Sequence, residues 1–445
     1  MEIAVALRKL TTYPHIVATW IDDDGYPLQT PATFTVNDAR SVVHVHAGGM
    51  TLPEDREVNI IASHIRPQPG TGYDERRYVT LRGRIAHDDG APVFTPDRAW
   101  GWDEAEVPFF EYSERNNAQA RRYMAAMSEE QGRAVKPRLS KTWTVLLSTR
   151  LPFLTATIVP ILLGTAVAAY EGSFSLWLAI LTLIGGAAIH VGLNVANDVF
   201  DAMSGADEAN VNPTQYSGGS RVIQRGLVSL RQMSLVSVGA YIAGIAVGLY
   251  LVITQGSMAL LAIGVTGVFL SIFYTAPPFR LVHRGLGEIT TAIGFGPLIV
   301  LGAYVVQTGE LAWAPFVASI PVAILIALVL YVNEIPDRNS DALIGKRTLP
   351  VRWSAAAVTQ AFLIAIIVAF GSIVLGVVAG VLPWPTLVAL LVLPMALGVH
   401  RGIRENYGNP YALMATMGKN VQVHLLTGLL LFAGYIIAIT AGSIT

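Results

Sequence analysis

The chain has 445 residues, 53% of them hydrophobic and 14% charged, with a formal net charge of −1 and no cysteine. So even a charge balance leaves no electrostatic footprint for nucleic acid, and the missing cysteines exclude disulfides, thiolate catalysis and Cys-ligated zinc or iron–sulfur sites. The first 150 residues hold 20 acidic and 18 basic residues while the remaining 295 hold only 11 and 12, so a soluble domain precedes a membrane part.

The N-terminal stretch MEIAVALRKLTTYP lacks the apolar run of a signal peptide, which predicts that the first domain stays in the compartment where it is made. HIVATWIDDDGYPLQTPATFTV and SVVHVHAGG alternate or run apolar as strands do, with Asp24-Gly25 as a hairpin turn. RRYVTLRGRIAHDDG reads as a further strand ending in a turn, residues 113–131 read as a helix, and GRAVKPRLSKTW reads as a polar, basic linker. These features set a soluble β-rich domain over 1–140 and a membrane domain over 141–445. His44 and His46 project from the same strand face; such a pair can ligate a metal or haem, but is more often ordinary strand filler.

Nine apolar stretches follow, near 152–170, 174–200, 233–254, 257–275, 286–307, 313–333, 354–380, 383–400 and 421–442, each about the 20 residues that a membrane helix needs. The connections after the second, fourth, sixth and eighth carry Arg221, Arg225, Arg231, Arg280, Arg284, Arg338, Lys346, Arg347, Arg352, Arg401, Arg404 and Lys419. Those after the first, third, fifth and seventh carry no Lys or Arg. The positive-inside rule puts the basic loops on the cytoplasmic face of a cell membrane, and nine spans put the N-terminal domain there too.

The second stretch ends in NVANDVFDAMSGAD, which sets Asn194, Asn197, Asp198 and Asp201 within about a 100° arc of one helix face, with Asp207 just beyond. The sixth ends in YVNEIPDRNSDALIGKRTLP, where Asn333, Glu334, Asp337 and Asp341 share a face if the helix runs past Pro336, a residue that kinks or breaks helices. Acids beside hydrocarbon are costly, and several facing one cavity repel one another unless cations lie between them. Mg²⁺ suits that task, because it takes one or two carboxylates and bridges to substrate phosphates. Arg221, Arg225, Arg280, Arg284, Lys346 and Arg347 lie on the same side and offer a phosphate-binding fringe, although each alone could be a topology signal. Tyr274 and Tyr304 offer ring faces to a carbocation, or pack as interfacial aromatics.

The segments NVANDVFD, SGGSRVIQRGLVS, YTAPPFRL, RGLGE and PDRNSDALIGKRTLPVR, together with the helix count over about residues 145–445, resemble the UbiA superfamily of membrane prenyltransferases. They look closest to its 1,4-dihydroxy-2-naphthoate branch. The resemblance implies an allylic polyprenyl diphosphate donor, Mg²⁺, and an aromatic acceptor prenylated within the membrane during quinone biosynthesis. It implies Asp198 and Asp201 in a first metal–diphosphate motif, Asp337 and Asp341 in a second, and diphosphate contacts from Asn194, Arg221, Arg280 and Lys346. Two departures stand out. Gly205 occupies a position that is Asp in many members, with Asp207 as the substitute. SGGSR replaces the Asn-Arg-Pro loop of the ubiquinone and archaeal glycerolipid branches, which speaks against their acceptors.

The pattern from Pro14 to about His87 resembles the split β-barrel of the pyridoxamine-phosphate-oxidase-like flavoproteins, with a short helix expected near PEDREVNIIA. That resemblance implies a flavin phosphate held by basic residues near the helix, and barrels that pair into a homodimer. Pro53, Glu54, Asp55, Arg56 and Glu57 put three acids beside one arginine there, so a bound flavin stays an open alternative. The expected architecture is multi-domain: an N-terminal split β-barrel followed by an all-α bundle of nine transmembrane helices. Two other functions compete, a transporter or lipid-binding protein and a flavin oxidoreductase on a membrane anchor. Transporters favour midplane sites and internal repeats, whereas these polar clusters sit at one face; an anchor needs far fewer spans. No residue declares itself as a general base.

Overall fold

The computed structural model describes residues 1–442 except 22–26, 38, 40, 48–50, 55, 69–71, 89–90, 108–111, 113–114, 117–118, 120, 123, 127, 130–131, 133–139, 211–213 and 215. The Asp24-Gly25 turn therefore lies outside the described residues, as do parts of the expected 113–131 helix and of the linker. The chain divides into two compact units, Met1–Ser113 and Glu114–Thr445.

In the first unit, α1 (Ile3–Leu10) precedes six strands: β1 (Ile16–Ile21), β2 (Pro27–Asn37), β3 (Val42–Ala47), β4 (Val58–Gln68), β5 (Gly72–Asp88) and β6 (Ala91–Asp103). They close into an antiparallel barrel in the order β1-β2-β3-β6-β5-β4, which leaves no open sheet edge. Period-two alternation fills it: Ile16, Ala18 and Trp20 from β1, Val43 and Val45 from β3, and Val58, Ile60 and Ala62 from β4 are all buried in one core. Ala6, Leu7 and Leu10, on one face of α1, join the same core.

Two expectations change here. The short helix near PEDREVNIIA is absent: Val58 opens β4, and the described residues of 51–57 are not helical. Alternating Val58, Ile60 and Ala62 fit a pleated surface better than a helix face. Strand β6 was not expected, because Pro92, Pro96 and Gly101 interrupt its pattern. It pairs with β5 through a register shift at Arg82/Gly83, where a side chain on residue 83 would run into the Thr95 backbone. A bulge with glycine admits the proline.

The second unit is helical: α2 (Lys141–Thr149), α3 (Thr155–Tyr170), α4 (Leu176–Ser204), α5 (Leu230–Gln255), α6 (Met258–Phe273), α7 (Gly287–Thr308), α8 (Trp313–Leu343), α9 (Ala355–Val378), α10 (Trp384–Asn406) and α11 (Pro410–Gly442). All nine expected stretches are helical. Seven are long and apolar enough to cross a bilayer; α3 and α6, with 16 residues each, fall short of that length.

Local chemistry fixes the ends that matter. Ser175 caps α4 by accepting the Leu178 N–H, and Gly205 closes it in the left-handed region at φ 76°, where glycine costs least. Helix α8 runs straight through Pro336, so Asn333 to Asp341 do lie on one continuous helix. Helices α4 and α5 touch closely because Gly192 and Gly244 leave room for Tyr241 and Ile189. In α7, a wider turn over Gly294–Leu298 coincides with Pro297, which has no N–H to give.

Candidate active site

The acid-bearing ends of α4 and α8 meet at one cavity of about 780 Å³. Asn194, Asn197 and Asp201 reach it from α4, Asp207 from the turn beyond, and Asn333, Glu334, Asp337 and Asp341 from α8. From Thr182 to Asp201 the cavity follows α4 for about 28 Å at 1.5 Å per residue, nearly the hydrocarbon thickness of a bilayer. Its charged groups gather at one end. The remainder is walled by residues such as Ile189, Leu249, Leu261, Val265 and Val268.

Each acid has a distinct setting. Asp201 Oδ2 accepts from Asn197 Nδ2 at 3.0 Å, and Asp337 Oδ1 accepts from Asn210 Nδ2 at 2.9 Å. Asp207 accepts from Gln224 Nε2 at 2.9 Å and pairs with Arg221 at 3.6 Å. Glu334 is only 4% exposed, with Glu288 packed against it. Asp341 pairs with Lys346 Nζ at 3.4 Å. Burial alone would lower the Lys346 pKa, but Asp341, Asp201, Glu334 and Asp337 outweigh it and raise it above its ordinary value. The lysine is therefore held charged at the cavity mouth.

The other cation is Arg150, which follows α2 with a left-handed backbone (φ 53°) and stacks over Phe153 at 4.8 Å. Deeper in, His190 lies on the α4 face shared with Asn194 and is hydrogen-bonded through Nδ1 to Thr157 Oγ1 at 2.6 Å. Its ring meets Phe295, from the wide turn of α7, at 5.0 Å. Five cavity-lining carboxylates against two cations make an oxygen-rich, electron-rich mouth above an apolar channel. That donor set fits a hard divalent cation shared with a phosphate. Among the described residues no three His, Asp or Glu already converge as a closed metal site.

Residues 157–418, more than half of the chain, match the pattern of the UbiA prenyltransferase family. The chain belongs to the UbiA prenyltransferase family. This UbiA protein is a multi-pass membrane prenyltransferase that carries an extra β-barrel unit in front. It is 29% identical over 302 residues to the 2-carboxy-1,4-naphthoquinone phytyltransferase of Synechocystis, covering 67% of this chain and 94% of that protein. It is 27% identical to the 1,4-dihydroxy-2-naphthoate octaprenyltransferase of Bacillus subtilis, over 65% of this chain and 91% of that one. A solved UbiA homolog from Aeropyrum pernix K1 aligns at TM-score 0.48 and 20% identity, over 63% of this chain and 97% of that chain.

Of the residues expected in the UbiA site, Asn194, Asp201, Asp337, Asp341 and Lys346 line the cavity together. Asp198 instead turns to the adjacent loop: 2% exposed, it accepts the Ser220 N–H at 3.2 and 3.3 Å. Arg221 is buried and braces the same loop, donating to the carbonyls of Asp207 and Asn210. Arg280 lies outside the cavity, in a separate recess. Tyr274 lines the cavity, whereas Tyr304 gives its hydroxyl to Glu171, in the connection between α3 and α4. The groups that sequence reasoning missed are Arg150, His190 and Asn210. His190 was within reach, since it precedes Asn194 by four residues on the same helix face. Arg150 and Asn210 enter from outside the motifs and carried no signal.

Proposed function

We propose that this chain transfers a polyprenyl group from an allylic polyprenyl diphosphate to an aromatic acceptor resembling 1,4-dihydroxy-2-naphthoate, as a step of quinone biosynthesis. One observation carries the reading: a single cavity joins an acid-rich, lysine- and arginine-bearing mouth to a long apolar channel. A diphosphate suits the first part and a prenyl tail the second. The acceptor class draws support from the named substrates of the Synechocystis and Bacillus relatives.

Asp201, Asp337 and Asp341, with Asn194 and Asp207 beside them, are the residues that would hold Mg²⁺ together with the donor's diphosphate. When bound, Mg²⁺ supplies positive charge to the diphosphate as the allylic C–O bond breaks. Lys346 and Arg150 add donors aimed at the same leaving group, whose negative charge grows in the transition state. Asp198 acts through the loop that it orders. The apolar walls hold the tail and exclude water, which would otherwise quench the electron-poor carbon. His190, with Thr157, offers the polar contact nearest the channel and is suited to orienting an acceptor hydroxyl or carboxylate beside the reacting end. In this reading α3 and α6 also cross the bilayer, and the acid-bearing ends and the front barrel lie on the cytoplasmic face.

The barrel is read as a folded companion without tightly held flavin. Arg56 is committed to the Ile21 carbonyl at 2.8 Å, and Glu57 pairs with Arg82 and Arg98. A stoichiometric flavin absorption spectrum from the purified full-length protein would contradict this. The prenyl-transfer reading itself is tested by incubating the protein in lipid nanodiscs with Mg²⁺, a labelled polyprenyl diphosphate and a panel of naphthoates and hydroxybenzoates. A prenylated naphthoate is expected; product from hydroxybenzoates alone would overturn the acceptor assignment.

A further inference from the structure

Two chain segments that wall the cavity also turn a second face outward. Tyr274 and Val282 from one, and Asp341 and Lys346 from the other, line the cavity. Their neighbours Arg280, His283, Arg284, Gly345 and Arg347, joined by Arg352, line a separate recess of about 490 Å³. The two segments are tied together: the Arg347 N–H donates to the His283 carbonyl at 2.9 Å. Gly285, at φ 74°, allows the approach, since a Cβ there would sit 2.6 Å from the Arg347 carbonyl oxygen. Arg284 is steadied by a hydrogen bond from Nη2 to the Pro278 carbonyl at 3.1 Å.

The charge of this recess is one-sided. Arg280, Arg284, Arg347 and Arg352 are all exposed, no carboxylate lines the recess, and none of the four forms an ion pair among the described residues. Guanidinium forks match phosphate oxygens two at a time, so a phosphate would relieve the mutual repulsion of the four. His283 stands neutral among them, because burial and then the charges of Lys346 and Arg280 push it down to about 4. It can therefore meet an anion without adding a fifth charge. Around the recess Phe279, Leu286, Leu343 and Trp353 are exposed apolar groups, as expected where a protein meets the headgroup layer.

We propose that this recess is a second phosphate-binding site, separate from the diphosphate cavity and sharing a wall with it. Its ligand carries a phosphate group, either as the headgroup of an anionic lipid or as free inorganic diphosphate. Juxtamembrane arginines attract anionic headgroups, and the shared wall would also let released diphosphate pass a waiting cationic site.

The test uses the full-length protein in nanodiscs and the double variant Arg284→Gln/Arg352→Gln, which leaves every cavity residue in place. In discs of equal phosphatidylcholine and phosphatidylglycerol, native mass spectrometry of the ejected protein should show retained phosphatidylglycerol, reduced about tenfold in the variant. In phosphatidylcholine-only discs, labelled inorganic diphosphate should bind as two saturable classes in the wild type and one in the variant. Loss in the lipid arm alone assigns the site to a headgroup, and loss in the diphosphate arm alone assigns it to free diphosphate. Arg347→Gln, read separately, should reproduce the loss, and it decides the matter if the double variant melts early. Unchanged retention and unchanged stoichiometry in these variants would overturn the proposal.

Discussion

At the cavity mouth, Lys346 and Arg150 are outnumbered by the acids around them, so each has a large electrostatic task. Changing Lys346 to Met removes the charge but keeps the stem. It should lower kcat by about 10²–10³-fold, as for other lost transition-state donors, with a smaller change in KM, measured by labelled-prenyl transfer. His283 makes a different prediction. Its imidazole, pushed down to about 4 by burial and by the nearby Lys346 and Arg280, binds a proton in the unfolded chain before it does so in the folded one. The unfolded state therefore takes up more protons between the ordinary pKa of 6.5 and about 4, and stability falls as pH drops through that window. The melting temperature of the wild type should decline more steeply there than that of His283→Asn, and parallel melting curves would refute this. Lys346 could be read from its place after PDRNSD, because it follows an acid set by one turn and a loop. Arg150 could not, since only folding brings it from the end of α2 to the acids of α4.

The elements that make the site are two long helices and one loop between α4 and α5. The helices were legible because acids spaced by three and four share a face, and because apolar runs of sufficient length mark the spans. The loop was not. SGGSR reads in sequence as a replacement for another motif, yet in three dimensions it is the seat of Asp198. Gly219 adopts φ 73°, and a Cβ there would approach Asp198 Oδ1 to 3.0 Å and Asp207 Oδ1 to 3.2 Å. Gly219→Ala should thus cost about 1–3 kcal/mol in stability and most of the activity. Gly226→Ala, with a similar backbone but open space around it, should cost only the stability. Equal activity losses would argue against the loop's role in holding the two acids. Strand β6 escaped for a comparable reason: its Pro96 fits opposite a bulge at Gly83.

For the whole molecule, the front barrel and the helical unit each have their own core. The proposed orientation rests on the distribution of Lys and Arg, and the chain has no cysteine to interfere with labelling. Single cysteines at Phe174 and Glu310 should react with an impermeant maleimide from outside cells, and those at Ser204 and Leu343 only after permeabilisation; the opposite pattern would invert the topology. In the proposed function, two acid-bearing helix ends serve one Mg²⁺-dependent transfer. It is tested most directly by comparing wild type, Asp201→Asn and Asp337→Asn in nanodiscs, each verified by its melting temperature, for Mg²⁺-dependent transfer of a labelled polyprenyl group to 1,4-dihydroxy-2-naphthoate. Both folded variants should lose at least about 10²-fold in kcat/KM, whereas near-wild-type transfer by either one would rule out a shared two-helix site.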